Sequence, residues 1–239
     1  MGILVNSKIK FILFEPSHPG NVGAAARAIK TMGFDNLCLI NPTEHPHPEA
    51  RARSTGALDV LLDAEVCGNF HEAIKDCGLI IGTTARVRRI SVPIKNIRET
   101  APSIVAEAKK KPVAVIFGPE KSGLINELVD CCNQLVNIPS VESYKSLNLA
   151  MAVQIVAYEL RIASQALPSE IRARTHASNE DIELFYNHLN QVLLETGFLD
   201  PKNPKQLMRR LRRLFNRAQM DENEINIMRG ILASYKKQT

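Results

Sequence analysis

Five short apolar runs, at residues 9–14, 37–40, 79–82, 113–117 and 135–138, punctuate the first two thirds of the chain. Helical periodicity fills the gaps, near residues 23–32, 70–77, 97–110 and 124–131. A strand that is apolar without alternation must be covered on both faces, and helices between such strands impose parallel connections. Residues 1–165 therefore read as an α/β unit on a parallel sheet. In such sheets ligands sit beyond the carboxyl ends of the strands.

Residues 147–163 are apolar almost all the way around and predict a buried or interface helix, with Ser146 as its N-cap. Residues 166–179 lose periodicity, carry Pro168, and read as a linker. Residues 180–239 predict a small bundle of three amphipathic helices. Ser178 or Asn179 caps the first, which stops at Gly197. Pro204 stands in the first turn of the second, and Asp221 with Glu224 forms a capping box for the third.

Charge separates the two regions. From Lys202 onward ten basic residues face three acidic ones, a net +7, which leaves −2 for the rest of a chain whose formal charge is +5. A near-neutral body with a basic end suits a polyanionic partner, nucleic acid first among them, although a solvated helix face also accounts for the pattern. Lys8 and Lys10 interrupt the first apolar run and no small-residue cleavage site follows, so no signal peptide is expected. No stretch reaches the ~20 apolar residues of a membrane helix. Five cysteines without a CxxC pair suit reduced thiols in a cytoplasmic protein, and no metal site is expected.

Three segments carry chemical signals. Residues 15–30, EPSHPGNVGAAARAIK, run from a strand end through a Pro/Gly turn into a helix. Val22, Ala25, Ala26, Ile29 and Met32 form its buried face, while Gly20, Gly23, Ala24 and Arg27 fall on another side. Bare backbone beside a guanidinium suits a ligand; a helix–helix contact explains the small residues equally well. Residues 79–86, LIIGTTAR, deliver hydroxyls at a strand end, and Arg86, Arg88 and Arg89 follow, either as phosphate ligands or as solvated charges. Residues 113–124, VAVIFGPEKSGL, have the glycine spacing of a phosphate loop but lack its Gly-Lys-Ser/Thr end. GxGxxG is absent as well, which disfavours a dinucleotide fold. Asn148, at the start of a largely apolar helix, needs a hydrogen-bond partner.

The strings SHPGNVGAAARAIKTMGF, VAVIFGPEKSGL and SLNLAMAVQIVAYEL, in this order and spacing, resemble SPOUT-class methyltransferases of the TrmJ type, which methylate cytidine or uridine 2′-hydroxyls of tRNA. The resemblance extends into the tail through FYNHL, LLETGF, LRRLF and RGILAS. It implies an α/β SPOUT domain with a C-terminal trefoil knot, a small helical domain after it, and a homodimer. It implies S-adenosyl-L-methionine as cofactor, held by Thr83, Thr84, Ala85, Gly118, Ile138, Lys145, Ser146, Leu147 and Asn148. Arg27 is the catalytic residue so implied. A guanidinium is a poor base at neutral pH, so its expected role is to hold a substrate phosphate and stabilise alkoxide character. RNA would be gripped by Arg86, Arg88, Arg209, Arg210 and Arg213, and the target would be nucleotide 32 of the anticodon loop. The loop departs from the pattern in carrying Pro119 and Lys121 where many relatives have arginines. The competing readings are a 2′-O-methyltransferase of ribosomal RNA and a non-catalytic RNA-binding protein.

Overall fold

The computed structural model describes residues 7–85, 94–143, 146–166 and 176–235. Strands β1 (Ile9–Phe14), β2 (Leu37–Ile40), β3 (Glu65–Cys67), β4 (Leu79–Thr83), β5 (Ile94–Asn96), β6 (Val113–Phe117) and β7 (Gln134–Asn137) form one seven-stranded sheet. Their order is β3-β2-β1-β6-β4-β7-β5, and every neighbouring pair is parallel. The five apolar runs are its five interior strands. The two strands that sequence patterning missed, β3 and β5, are the edges, each three residues long and mixed in polarity. Short polar edges resist pairing with other chains, and for the same reason they carry little signal.

Seven helices, α1 (Pro19–Thr31), α2 (Pro48–Arg53), α3 (Leu58–Leu62), α4 (Phe70–Ile74), α5 (Ile97–Ala108), α6 (Asn126–Cys131) and α7 (Leu149–Ala166), accompany the sheet among the described residues. Phe11 and Leu13 face a core completed by Ile29 of α1, Ile104 of α5 and Val153 and Leu160 of α7. Ile12, Ile80 and Ile116 face the opposite core, against Ile74 of α4 and Leu128 of α6. Alternate residues of one strand thus enter different cores, which is why the run is apolar throughout.

The small residues of α1 serve a helix contact at Gly23. A Cβ there would lie 2.0 Å from the carbonyl oxygen of Ala50, because α2 crosses at that point. Backbone cannot swing aside as a long side chain can. Gly23→Ala is therefore expected to destabilise the fold by about 1–3 kcal/mol, read as a lower denaturant midpoint at unchanged slope.

Two local expectations need correction. Helix α7 begins at Leu149, and its cap is Asn148, whose Oδ1 accepts from the amides of Ala150 at 2.9 Å and Met151 at 3.4 Å. Ser146 lies outside the helix, because the amide side chain two residues closer reaches the free N–H groups first. Pro204 likewise precedes its helix instead of opening it; the chain turns there, with the Leu207 amide donating to the Pro204 oxygen at 3.3 Å.

The tail folds as α8 (Asn179–Glu195), α9 (Leu207–Ala218) and α10 (Glu222–Tyr235) around Phe185, Tyr186, Leu189 and Ile225. Ser178 caps α8 by accepting from the Asp181 amide at 3.2 Å. Asp221 and Glu224 bond each other's amides at 2.8 and 2.9 Å, the reciprocal capping box. Gly197, at φ 72°, ends the first helix. Most of the linker segment lies outside the described residues.

Polar contacts hold the tail against α6 and its surroundings. The Asn179 amide donates to the Cys77 oxygen at 3.0 Å, and Asn216 Nδ2 to the Asp130 oxygen at 2.9 Å. Arg209 pairs with the Asp130 carboxylate and Lys111 with Glu222. His176 Nε2 lies 3.2 Å from Glu107 Oε2. That hydrogen bond raises the imidazole above its ordinary 6.5. Burial opposes the charge of Glu107, but hydrogen bonds from His176 and Lys110 outweigh it and hold the carboxyl below its ordinary 4.5. The histidine's contribution is full below its unfolded pKa and fades as pH rises through its raised folded value. The glutamate's is full above its unfolded pKa and fades as pH falls through its lowered one. Docking through this pair is thus strongest between about pH 4.5 and 6.5. His176→Gln is expected to remove about 1 kcal/mol there and to flatten the dependence of the unfolding midpoint on pH.

Candidate active site

Three loops, at the carboxyl ends of β4, β6 and β7, line one cavity of about 580 Å3. Strand β4 delivers Thr83, Thr84 and Ala85. Thr83 Oγ1 donates to the Ile116 oxygen at 2.8 Å, and the Thr84 amide donates to the Val136 oxygen at 2.9 Å, so this wall is fixed to its neighbours. Strand β6 delivers Gly118 and a tight loop. The Gly123 amide donates to the Pro119 oxygen at 2.8 Å, and Gly123 takes φ 64°. The loop folds back so closely that a Cβ on Gly118 would lie 2.3 Å from Gly123 C and Leu124 N. Beyond β7 comes Ile138, and Ser146 and Leu147 close the far side before α7. The lining mixes Phe117, Val136, Ile138 and Leu147 with bare backbone at Gly118 and Gly123. That combination suits a flat, uncharged heterocycle with a few polar edges.

A chain of polar side chains beside the cavity ties the β6 loop and the start of α7 to the turn between β1 and α1. Glu120, in the β6 loop, accepts from the Ser17 amide at 3.0 Å, from Ser17 Oγ at 2.8 Å and from Asn21 Nδ2 at 2.8 Å. Asn148 Nδ2 then donates to Asn21 Oδ1 at 2.9 Å. Burial works against the Glu120 carboxylate, but the bonds from Asn21 and Ser17 prevail and hold its pKa below the ordinary carboxylate range. It stays anionic at neutral pH, which suits an organiser of donors and makes it a weak base.

Of the residues singled out from the sequence, Thr83, Thr84, Ala85, Gly118, Ile138, Ser146 and Leu147 line this cavity. Asn148 stands just outside it, bonded to Asn21. Lys145, Arg86 and Arg88 lie outside the described residues. Arg27 is exposed on α1, is not part of the cavity wall, and makes no ion pair among the described residues. Arg209 is committed to Asp130, whereas Arg210 is exposed and Arg213 half-buried. The arginine between them, Arg212, is engaged as well: it stacks 4.3 Å over the Tyr186 ring and forms a two-pronged pair with Glu183. Sequence reasoning missed Ser17, Asn21 and Glu120 as a unit. The need of Asn148 for a partner was the one available signal, and its partner lies 127 residues away.

Cys38, Glu65 and Cys67 place their ligand atoms within 4.8 Å of one another at the β2–β3 edge. The cation there is already Lys10, 3.0 Å from Glu65 and 3.4 Å from Asp76. Burial pushes the Cys38 thiol far above its usual range, so the sulfurs stay protonated and act as packing.

With this geometry in place, residues 8–158 match the SpoU rRNA Methylase family. The chain belongs to that family. Residues 180–239 of this SpoU methylase match the C-terminal domain of the tRNA methyltransferase TrmJ. The tRNA (cytidine/uridine-2'-O-)-methyltransferase TrmJ of Salmonella typhimurium is 45% identical over 235 residues, spanning 96% of this chain and 97% of its own. The crystal structure of TrmJ from Z. mobilis superposes with a TM-score of 0.83 at 30% identity, covering 95% of this chain and 98% of that one. A probable methylase family protein from Haemophilus influenzae gives 0.63 at 38% identity, with 97% of each chain covered. The resemblance read from three sequence strings thus extends to the whole length of the SpoU methylase and its TrmJ-like tail.

Proposed function

We propose that this chain transfers the methyl group of S-adenosyl-L-methionine to the ribose 2′-hydroxyl of a pyrimidine in tRNA, at nucleotide 32 of the anticodon loop. The convergence of Thr83, Thr84, Ala85, Gly118, Ile138, Ser146 and Leu147 on one cavity carries the reading. A cavity of about 580 Å3 lies in the range of sites for ligands of the cofactor's size. Bound there, the cofactor supplies an electrophilic methyl on a sulfonium. The chain supplies alignment, since in-line transfer to an oxygen is governed by placement and charge control. Asn21, Glu120 and Asn148 form the rigid wall against which a ribose is oriented. Arg27 fixes a substrate phosphate and stabilises the oxygen as its proton leaves.

Arg27 stands apart from the cavity of its own chain, which supports a homodimer in which each copy completes the other. Helix α7 leaves Met151, Tyr158 and Ile162 exposed on an otherwise apolar helix packed against α1. A second copy covering that face would also approach the neighbouring α1, the helix that carries Arg27. Tyr158→Glu is expected to convert the dimer to a monomer in sedimentation equilibrium and to abolish methyl transfer with it.

The tail is the second RNA grip. Arg210 and Arg217 are exposed on α9, with Arg213 half-buried between them, and none has an ion-pair partner among the described residues. Arg210→Glu with Arg213→Glu is expected to weaken tRNA binding about 10-fold or more at 0.1 M salt and to reduce the salt slope by about 2. Cofactor affinity should stay unchanged, and equal damage to both would point to misfolding. The deciding experiment is mass spectrometry of unmodified tRNA after incubation with the pure protein and cofactor. A 2′-O-methylpyrimidine at nucleotide 32 supports the proposal; methylation only of ribosomal RNA, or none at all, refutes it. No described helix is long and apolar enough to cross a membrane, and a tRNA substrate places the work in the cytoplasm.

A further inference from the structure

Beside the large cavity lies a second one of about 260 Å3, walled by His18, Gly20, Asn21, Glu49, Arg53 and Asn148. The two share a partition: Asn21 and Asn148 line the second cavity, and Glu120, bonded to Asn21, lines the first. The far wall of the second cavity carries charges of both signs. Glu49 Oε1 stands 3.7 Å from Arg53 Nη2 and 3.9 Å from His18 Nδ1. Both separations exceed hydrogen-bond length, so acceptor and donor face the space with bonding capacity left. The backbone is shaped to bring them there. His47 Nδ1 caps α2 by accepting from the Glu49 amide at 3.1 Å, and a Cβ on Gly20 would lie 2.6 Å from Glu49 Oε1. The glycine lets the start of α1 close on the carboxylate.

We propose that this second cavity receives the pyrimidine ring of the nucleotide being methylated, with Glu49 accepting and Arg53 donating at its Watson–Crick edge. The inference rests on the ribose-methylation reading above. Cytosine presents an amino donor beside the N3 and O2 acceptors; uracil presents the N3–H donor between two carbonyl acceptors. Each edge is therefore a donor flanked by an acceptor, and one carboxylate with one guanidinium answers both. The long Arg53 side chain follows whichever acceptor the base offers. A base so held puts its ribose against the Asn21–Asn148 partition, next to the large cavity. This explains how one site serves two bases that differ in their hydrogen-bond pattern.

The test uses the full chain, radiolabelled S-adenosylmethionine, and tRNA transcripts carrying cytidine, uridine or an abasic ribose at the methylated position. For the natural sequence, kcat/KM on cytidine and on uridine should exceed that on the abasic transcript by about 10- to 100-fold. Arg53→Met and Glu49→Gln should each lower that base-to-abasic ratio at least about 5-fold. The Arg53 side chain is 65% exposed, so its replacement leaves the fold intact. If both variants lose rate equally on every transcript, leaving the ratio where it was, or behave as the natural sequence does, the inference is overturned. If the natural sequence methylates none of the transcripts, the ribose-methylation reading itself fails and takes this inference with it.

Discussion

Gly118→Ala is expected to lower S-adenosylmethionine affinity at least about 100-fold and to cost about 2–3 kcal/mol of stability. The atoms that a new Cβ would meet, at 2.3 Å, are backbone atoms of Gly123 and Leu124. No rotamer change relieves such a contact, so the β6 loop must lift. Leu124 would then leave the core it shares with Ile116 and Leu128. Glu120 would be drawn from Ser17 and Asn21, and the cavity would lose one wall. Isothermal titration with the cofactor and denaturant unfolding read the two effects. Gly68→Ala is the matched control. Nothing lies within 4 Å of a Cβ there, and stability should change by no more than about 0.5 kcal/mol. Retained cofactor affinity in the Gly118 variant would separate the cavity from cofactor binding.

The second large effect is expected at Arg27. Arg27→Lys keeps the positive charge but loses the planar fork that holds a phosphate by two parallel bonds. Turnover should fall about 100- to 1,000-fold, the size of a lost transition-state donor. Cofactor affinity should be unaffected because Arg27 is not part of the cavity wall. Stability should be unaffected as well, since the side chain is exposed and unpaired among the described residues. Near-normal turnover by this variant would show that charge alone suffices, or that the reaction does not use the residue. Either result would return the search for the catalytic group to the Asn21–Glu120–Asn148 wall.

The parts of the molecule legible in the sequence are those where every residue of an element reports the same environment. Strands β1, β2 and β6 begin and end where their apolar runs do, because both faces of each are covered. The capping box at Asp221 and Glu224 is a local device with fixed spacing, so it too could be read. Edge strands β3 and β5 could not, since a short edge must look polar to do its work. Helices α2 and α3 escaped because one buries only Ala50 and the other only Val60 and Leu61, too few inward positions to make an apolar stripe. The site divides the same way. Its cavity walls follow from strand ends, but the bonds of Glu120 to Ser17 and Asn21 join residues about a hundred positions apart. No window along the chain contains both partners. Arg209 teaches the reverse lesson. Its spacing puts it in the basic stripe, yet its carboxylate partner Asp130 is 79 residues upstream.

The strand order also governs how the chain is born. The central pair joins Ile9 to Val113 and Leu13 to Phe117, so the first strand made waits for one synthesised about a hundred residues later. Until Phe117 has cleared the ribosome tunnel, β1, β2 and β3 can offer only a three-stranded fragment with one bare apolar flank. Such distant pairing slows folding, because loop closure must precede the contacts that reward it. Nascent chains halted before residue 113 should accordingly be sticky and rapidly digested, and protease resistance should arise abruptly once β6 emerges.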